Sequence, residues 1–182
     1  MSTRIRIIGA GLAGSEAAWQ CARRGLAVEL YEMRPVRSTP AHQTAHFDEL
    51  VCSNSLKSDT VNTAPWLLKE EMRRAGSLLM EIAAQTAVPA GHALAVDRDR
   101  FAEAVTAAIE GESLIRVLRE EVSQIHEVDG ITIVASGPLT SDALSQEILR
   151  LSGSEQLYFY DSISPIVEAD SIDMTRVYMA AR

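Results

Sequence analysis

Apolar residues along this chain come in short blocks whose period changes, and the changes predict alternating strands and helices. "RIRIIGA" (4–10) is a β-branched run suited to a buried parallel strand. It ends in glycines, after which "LAGSEAAWQCARRG" (12–25) reads as an alanine-rich helix closed by Gly25. "LAVELYE" (26–32) is a second strand, so the three blocks together form a βαβ unit. Residues 33–62 then lose all periodicity and fill with Ser, Thr, Pro, Asn and His. An irregular stretch of that length inside a domain points to a functional loop.

Thr63 and Pro65 open a predicted helix to about residue 86, with Leu68, Met72, Ala75, Leu79 and Ile82 on one face. "KEEMRR" (69–74) reads as its solvated side, laced with i,i+4 charge pairs. "HALAV" (92–96) is a strand, Asp97 a cap, and "RDRFAEAVTAAIEG" (98–111) a helix ended by Gly111, which Arg98 and Arg100 are expected merely to open. Further strands are predicted at "LIRVL" (114–118), weakly at Val122–His126, and at "GITIVAS" (130–136), with Asp129-Gly130 as a turn. A polar helix (141–151) follows Gly137-Pro138. The texture then turns aromatic in "LYFYDSISPIVEADSID", and the end at "VYMAAR" does not read as the close of a domain. The expected organisation is an α/β dinucleotide-binding domain over 1–150, with 33–62 as an inserted active-site loop. Residues 151–182 would begin a second, incomplete substrate domain of a truncated chain.

Gly9-Ala10-Gly11-Leu12-Ala13-Gly14 is a GxGxxG motif between a predicted strand and helix. Glu32 ends the next strand 18 residues beyond Gly14, the context in which this motif marks a dinucleotide site. Gly9 permits the tight turn, Gly11 lets the backbone approach a pyrophosphate, and Gly14 lets helix and strand pack closely. The phosphates would sit on the N–H groups at the helix N-terminus. Glu32 would accept hydrogen bonds from the adenosine ribose, which disfavours a 2′-phosphate, so FAD or NAD(H) is expected rather than NADP(H). Arg34 is close enough in sequence to reach the pyrophosphate or ribose, the alternative being a solvated surface arginine. The helix after Asp97 and the strand ending "VASG" resemble segments of glutathione-reductase-like flavoproteins, which favours a Rossmann-like FAD-binding fold of that type. "ASG" (135–137) would then be a turn returning to the nucleotide edge, or else an ordinary strand-to-helix loop.

Composition narrows the function. At 47% hydrophobic and 23% charged residues over 182 positions, the chain reads as a globular protein. No apolar run approaches the roughly 20 residues that cross a bilayer, and "MSTRIRIIGAG" lacks a signal peptide's features, so a cytoplasmic, non-membrane protein is expected. The net charge of −8 argues against nucleic acid, yet it is unevenly spread. Residues 1–60 hold seven basic and six acidic side chains, while 61–182 hold ten and nineteen. The first part is therefore free to meet an anion.

Two cysteines can build neither a disulfide framework nor a zinc site, and no metal is expected. Cys21, beside Trp19 and Ala22 in the first helix, reads as a small buried hydrophobe. Cys52 lies in the long loop with Ser53, Asn54 and Ser55, and His42, His46 and Lys57 are the cations in reach along the sequence. Those surroundings suit either a reactive thiol or a merely polar-loop cysteine. His42 and Gln43 could line a flavin or folate site, or simply fill the loop.

"GAGLAGSEAAWQ", "YEMRPV", "TPAHQT", "FDELVCSNSLKSD", "NTAPWLLKEEMRR", "PAGHALAVDRDRF", "ASGPLTS" and "YFYDSISPIVEADSID" together resemble the folate-dependent tRNA (uracil-5-)-methyltransferases, over residues 5 to about 180. Ser136 stands where that family is expected to have Thr, and the family's later substrate domain, second catalytic cysteine and C-terminal flavin-contacting segment lie outside these 182 residues. The resemblance implies a flavoprotein that methylates C5 of uridine 54 in the tRNA T-loop. It implies 5,10-methylenetetrahydrofolate as one-carbon donor, reduced FAD as reductant and NAD(P)H as the source of electrons. Cys52 would be one of two working cysteines, attacking the base or protecting a methylene-bearing flavin, and tRNA would bind mainly through the missing C-terminal part. Two other readings remain: a relative that modifies the tRNA wobble uridine, and a truncated dinucleotide-binding fragment that catalyses nothing.

Overall fold

The computed structural model describes residues 4–126, 130–154, 157 and 172–177. The predicted βαβ unit is present as β1 (Ile5–Ile8), α1 (Leu12–Ala22) and β2 (Val28–Tyr31). These strands join β6 (Ile115–Leu118) and β7 (Ile131–Val134) in a four-stranded sheet of order β6-β2-β1-β7, parallel at every pairing. Ile7 is paired with Leu30 on one side and Ile133 on the other, so branched side chains stack across the sheet in register. Ile5, Ile7, Val28, Leu30 and Ile115 are buried in one core with Ala18 and Ala22 of α1 and Phe101, Val105 and Ile109 of α4 (Arg98–Gly111). Each fully buried aliphatic or aromatic side chain stabilises this layer by about 1.5–3 kcal/mol. Asp97 caps α4 as expected, its side chain accepting from the Arg100 amide.

A second, antiparallel sheet has the order β3-β5-β4, with β3 at Ser55–Ser58, β4 at Ala87–Val88 and β5 at Ala93–Val96. Here the structure corrects the expected wholly irregular loop over 33–62. β3 lies within it, and its partner β5 is too distant in sequence for a local pattern to announce the pairing.

The long helix expected from Thr63 to about residue 86 is two helices, α2 (Ala64–Arg74) and α3 (Leu78–Gln85). Gly76 adopts a left-handed φ of +72°, and Ser77 starts α3 by accepting the Met80 amide. The break serves packing, because Gln20 of α1 and Arg23 at its C-cap both donate to the Gly76 carbonyl and Glu16 accepts from Ser77 Oγ and the Leu79 amide. Leu79 and Ile82 are buried as expected, but Leu68, before the break, is 59% exposed. Val122–His126 carries no strand, the Ile125 amide being taken by the Glu147 carboxylate of α5 (Asp142–Ser152). Gly130 has φ +143° just before β7, while Asp129, and with it the expected Asp129-Gly130 turn, lies outside the described residues, as does most of the expected second domain.

"KEEMRR" is only partly the solvated face expected. Arg74 pairs with Glu70 on the surface, but Lys69 is 4% exposed. Its Nζ donates to the carbonyls of Leu56 (3.0 Å), Ser58 (2.7 Å) and Pro65 (3.0 Å), while Arg73 holds both oxygens of Asp59. Together they bind the β3 segment to α2. Lys69→Met would leave those carbonyls without a charged donor and should lower stability by about 2–4 kcal/mol in urea titrations. A loss under 0.5 kcal/mol would show that water replaces the amine.

Candidate functional site

The site begins with three glycines doing different things. Gly9 has φ +101°, and a Cβ on it would lie 2.7 Å from the Ala135 carbonyl oxygen and 2.8 Å from Ser136 Cα. The "ASG" turn that follows β7 therefore does pack on the glycine loop. A Cβ on Gly14 would collide with the Gly9 carbonyl, which lets α1 sit directly on the end of β1. At Gly11 the same Cβ would meet nothing within 4 Å. Gly11 caps α1 with no side-chain hydrogen bond, and the first turn holds no acidic residue, so this helix N-terminus faces open space. The gap is the shape a pyrophosphate needs, and the residues present fit a dinucleotide.

That space is a cavity of about 330 Å³. The whole predicted motif from Gly9 to Ala13 lines it, together with Glu32, Arg34 and His42, while Gly14 lies behind. The "ASG" turn (135–137) lines it too, as one of its two expected readings had it, and the structure adds Tyr31, Val51, Glu120–Val122 and residues 138–141, which no local motif marked. They converge because β2, β6 and β7 all end on the same side of the parallel sheet, where ligands of open α/β folds bind.

Glu32 is buried, and its carboxylate accepts from the Ala10 amide (3.1 Å), the Arg34 amide (3.0 Å) and Arg34 Nε (2.9 Å). Burial pushes its pKa up, but Arg34 and these amides outweigh burial and hold it below the usual carboxylate range. Arg34 is not a solvated arginine. It is 3% exposed and spans Glu32 and Glu49, with Nη1 3.3 Å from Glu49 Oε2. Glu49 in turn accepts from the Gln43 and Thr44 amides, closing the loop on itself and leaving Gln43 exposed. His42 reaches the cavity wall, its Nδ1 2.6 Å from Thr39 Oγ1. Burial and then the Arg34 charge lower its pKa, so it is neutral at physiological pH.

Cys52 is exposed, just past Val51 at the cavity. The cation placed at its backbone is none of those expected: Arg98 Nη2 lies 3.5 Å from the Cys52 carbonyl, so Arg98 does more than open its helix. The loop is fixed further on by Asn54, whose Nδ2 donates to the Val96 carbonyl at 2.9 Å. Cys21 is half-buried against the core, as expected.

Sequence reasoning missed Asp48. It is 2% exposed, with left-handed φ 54°, and Oδ1 accepts from Ser15 Oγ at 2.9 Å while Oδ2 has no hydrogen-bond partner. Its amide donates to the Ala10 carbonyl, so it joins the cysteine loop to the glycine loop. Nothing in "FDEL" signals such burial.

The family model described as glucose inhibited division protein A matches residues 4–182. The chain belongs to that family. Among its relatives, the methylenetetrahydrofolate–tRNA-(uracil-5-)-methyltransferase TrmFO of Koribacter versatilis (strain Ellin345) is 76% identical over 182 residues, all of this chain and 41% of that protein. The protein of the same name from Enterococcus faecalis (strain ATCC 700802 / V583) is 56% identical over the same shares. This member of the family thus spans about 41% of the length of these curated relatives. Aquifex aeolicus GidA shares the fold at a TM-score of 0.56 and 18% identity, over 70% of this chain and 21% of that one. The flavoprotein-type fold expected from the sequence is the fold observed. No helix among the described residues is long and apolar enough to cross a membrane, and they contain no group of metal-binding side chains.

Burial raises the Asp48 pKa from 3.8 to about 7, opposed by the Ser15 hydrogen bond, raised further by Glu16 and Glu32 and lowered by Arg34. A raised folded-state pKa means that the native state holds the proton more tightly. The resulting stability is full below pH 3.8 and is lost as pH rises through about 7. Asp48→Asn should therefore flatten this fall. Urea titrations at pH 5 and pH 8 should show wild type losing at least about 1 kcal/mol more than the variant, and equal losses would contradict the burial assigned to Asp48.

Proposed function

We propose that this chain is the FAD-binding part of a folate-dependent tRNA (uracil-5-)-methyltransferase, with residues 1–150 as the nucleotide domain. The observation that carries the cofactor half is the open space at Gly11, in front of an uncapped helix N-terminus and beside Glu32. The reaction half is supported by relatives of that name at 56–76% identity along the whole chain.

In this reading the amides of the first turn of α1 hold the pyrophosphate, and Gly9, Ala10, Leu12 and Ala13 shape the cradle around it. Glu32, kept ionised and oriented by Ala10 and Arg34, receives the ribose hydroxyls. Arg34 acts through Glu32 more than on the ligand, because its guanidinium is taken up by two carboxylates. FAD, once reduced by NAD(P)H, supplies the electrons that take the one-carbon unit of methylenetetrahydrofolate to a methyl group.

Uracil C5 is a poor nucleophile, and a thiolate adding at C6 pushes electron density onto it. The exposure of Cys52 favours that role over guarding the flavin. A thiol that meets a base of a large RNA has to face solvent, whereas a guard has to face the cavity, whose wall here is formed by Val51. The substrate is the T-loop uridine 54 of tRNA, and the chain's acidity requires that much of the RNA-binding surface lie in the further length its relatives possess. The absence of a membrane-crossing helix among the described residues suits work in the cytoplasm.

Gly11→Ala tests the cradle. Its φ of −86° suits alanine and the Cβ has room, so the apoprotein should unfold within about 0.5 kcal/mol of wild type while FAD affinity falls at least tenfold. Unchanged FAD affinity would remove the pyrophosphate from this site. In the complete gene product, Cys52→Ser should abolish formation of 5-methyluridine in tRNA while leaving the bound flavin in place. Normal methylation would end the catalytic role of Cys52, and a wobble-position product instead would assign the protein to the other tRNA-modifying branch.

A further inference from the structure

Arg119, directly after β6, lies outside the cavity lining and carries no role in the proposal above, yet it holds the cofactor-side loop at several points from outside that loop. Its Nη1 donates to the Ala45 carbonyl at 2.7 Å and the Arg34 carbonyl at 3.2 Å. Its Nη2 donates to Glu110 Oε1 of α4 at 2.8 Å. The guanidinium carbon sits 4.1 Å from the ring centroid of Phe47, which is fully buried. One side chain thus fastens three points of the 34–47 loop to the sheet and to α4. The loop so held contains Arg34, which orients Glu32, and His42, which lines the cavity. The residues immediately after Arg119, Glu120–Val122, form another part of the same wall.

We infer that Arg119 is the positioning residue that holds the 34–47 loop in its FAD-binding shape, so that binding does not have to order the loop. This rests on the reading of the cavity as the FAD site. The physical ground is preorganisation. A loop fixed before the ligand arrives spares binding the entropy of ordering it, and a planar guanidinium can reach two carbonyls, a carboxylate and an aromatic face at once. The Arg34 carbonyl is the telling contact, because the backbone that Arg119 grips belongs to the residue whose side chain and amide both hold Glu32.

The test is FAD titration of the complete gene product, stripped of flavin, followed by quenching of flavin fluorescence, with thermal unfolding of each apoprotein measured alongside. Arg119→Met, which keeps the side-chain length but no donor, should raise the FAD dissociation constant at least tenfold at a temperature where circular dichroism shows it folded. Arg119→Lys keeps a cation over Phe47 and one carbonyl contact, and should fall between, at about three- to tenfold. If Arg119→Met does not fold, Arg119→Lys alone decides. A folded variant with lowered thermal stability but wild-type FAD affinity would overturn the inference, leaving Arg119 a purely structural clamp. Wild-type protein that binds no FAD would instead overturn the underlying cofactor reading.

Discussion

The buried carboxylate of Glu32 is the constraint from which the rest of the site follows. Removing a carboxylate from water costs several kcal/mol unless donors replace the lost hydration, and here three N–H groups do so. Each donor fixes a different piece of chain. The Ala10 amide orients the glycine loop, the Arg34 amide turns the chain at the end of β2, and the Arg34 guanidinium reaches on to Glu49. A strand end, a glycine loop and a long polar loop thereby share one electrostatic knot. Charges alternate through it as Glu32, Arg34 and Glu49, which lets three ionised groups be withdrawn from solvent where a single one could not be.

Around that knot two of the three motif glycines are packed as tightly as glycine allows. Gly9 lies against the turn after β7 and Gly14 against the Gly9 carbonyl, while Gly11 has nothing in front of it. A folded chain rarely leaves the N-terminus of an eleven-residue helix both uncapped and facing a cavity, since its first amides then go without protein acceptors. The proposed cofactor site would make the stability forgone at that helix end the counterpart of anion binding.

Much of this was readable from residue order. The βαβ unit, the glycine motif with Glu32, the Asp97 cap and the helix over 98–111 all rest on local rules, namely period, capping and turn chemistry, and the structure follows them. What escaped were features decided by distant partners. Gly76 looked like one glycine within a helical pattern, and only its contacts with Gln20 and Arg23 explain why the helix breaks there. Lys69 reads as a surface residue in "KEEMRR" but is buried because β3 offers it two carbonyls. Arg34 was named as a site candidate but its burial was not foreseen, and Asp48 and Arg119 escaped altogether, since a buried charge is recognised by what surrounds it.

The segment from Phe47 to Ser55 shows how fold and chemistry divide one loop between them. Phe47 is fully buried beneath Arg119, and the Asp48 amide is tied to the Ala10 carbonyl. Six residues later Asn54 exchanges hydrogen bonds with Val96, donating through its side chain and accepting the Val96 amide on its carbonyl. Between these anchors only five residues remain, too few for the chain to wander far, since each extended residue spans about 3.5 Å. Val51 turns to the cavity and Cys52 to solvent. A thiol held at the cavity's rim by short tethers on both sides keeps a fixed distance from the cavity while facing solvent. That geometry makes a cysteine intelligible among small polar residues: Asn54 supplies a tether, Ser53 and Ser55 accept amides two residues on in the turns, and the thiol sits on the exposed part of the loop.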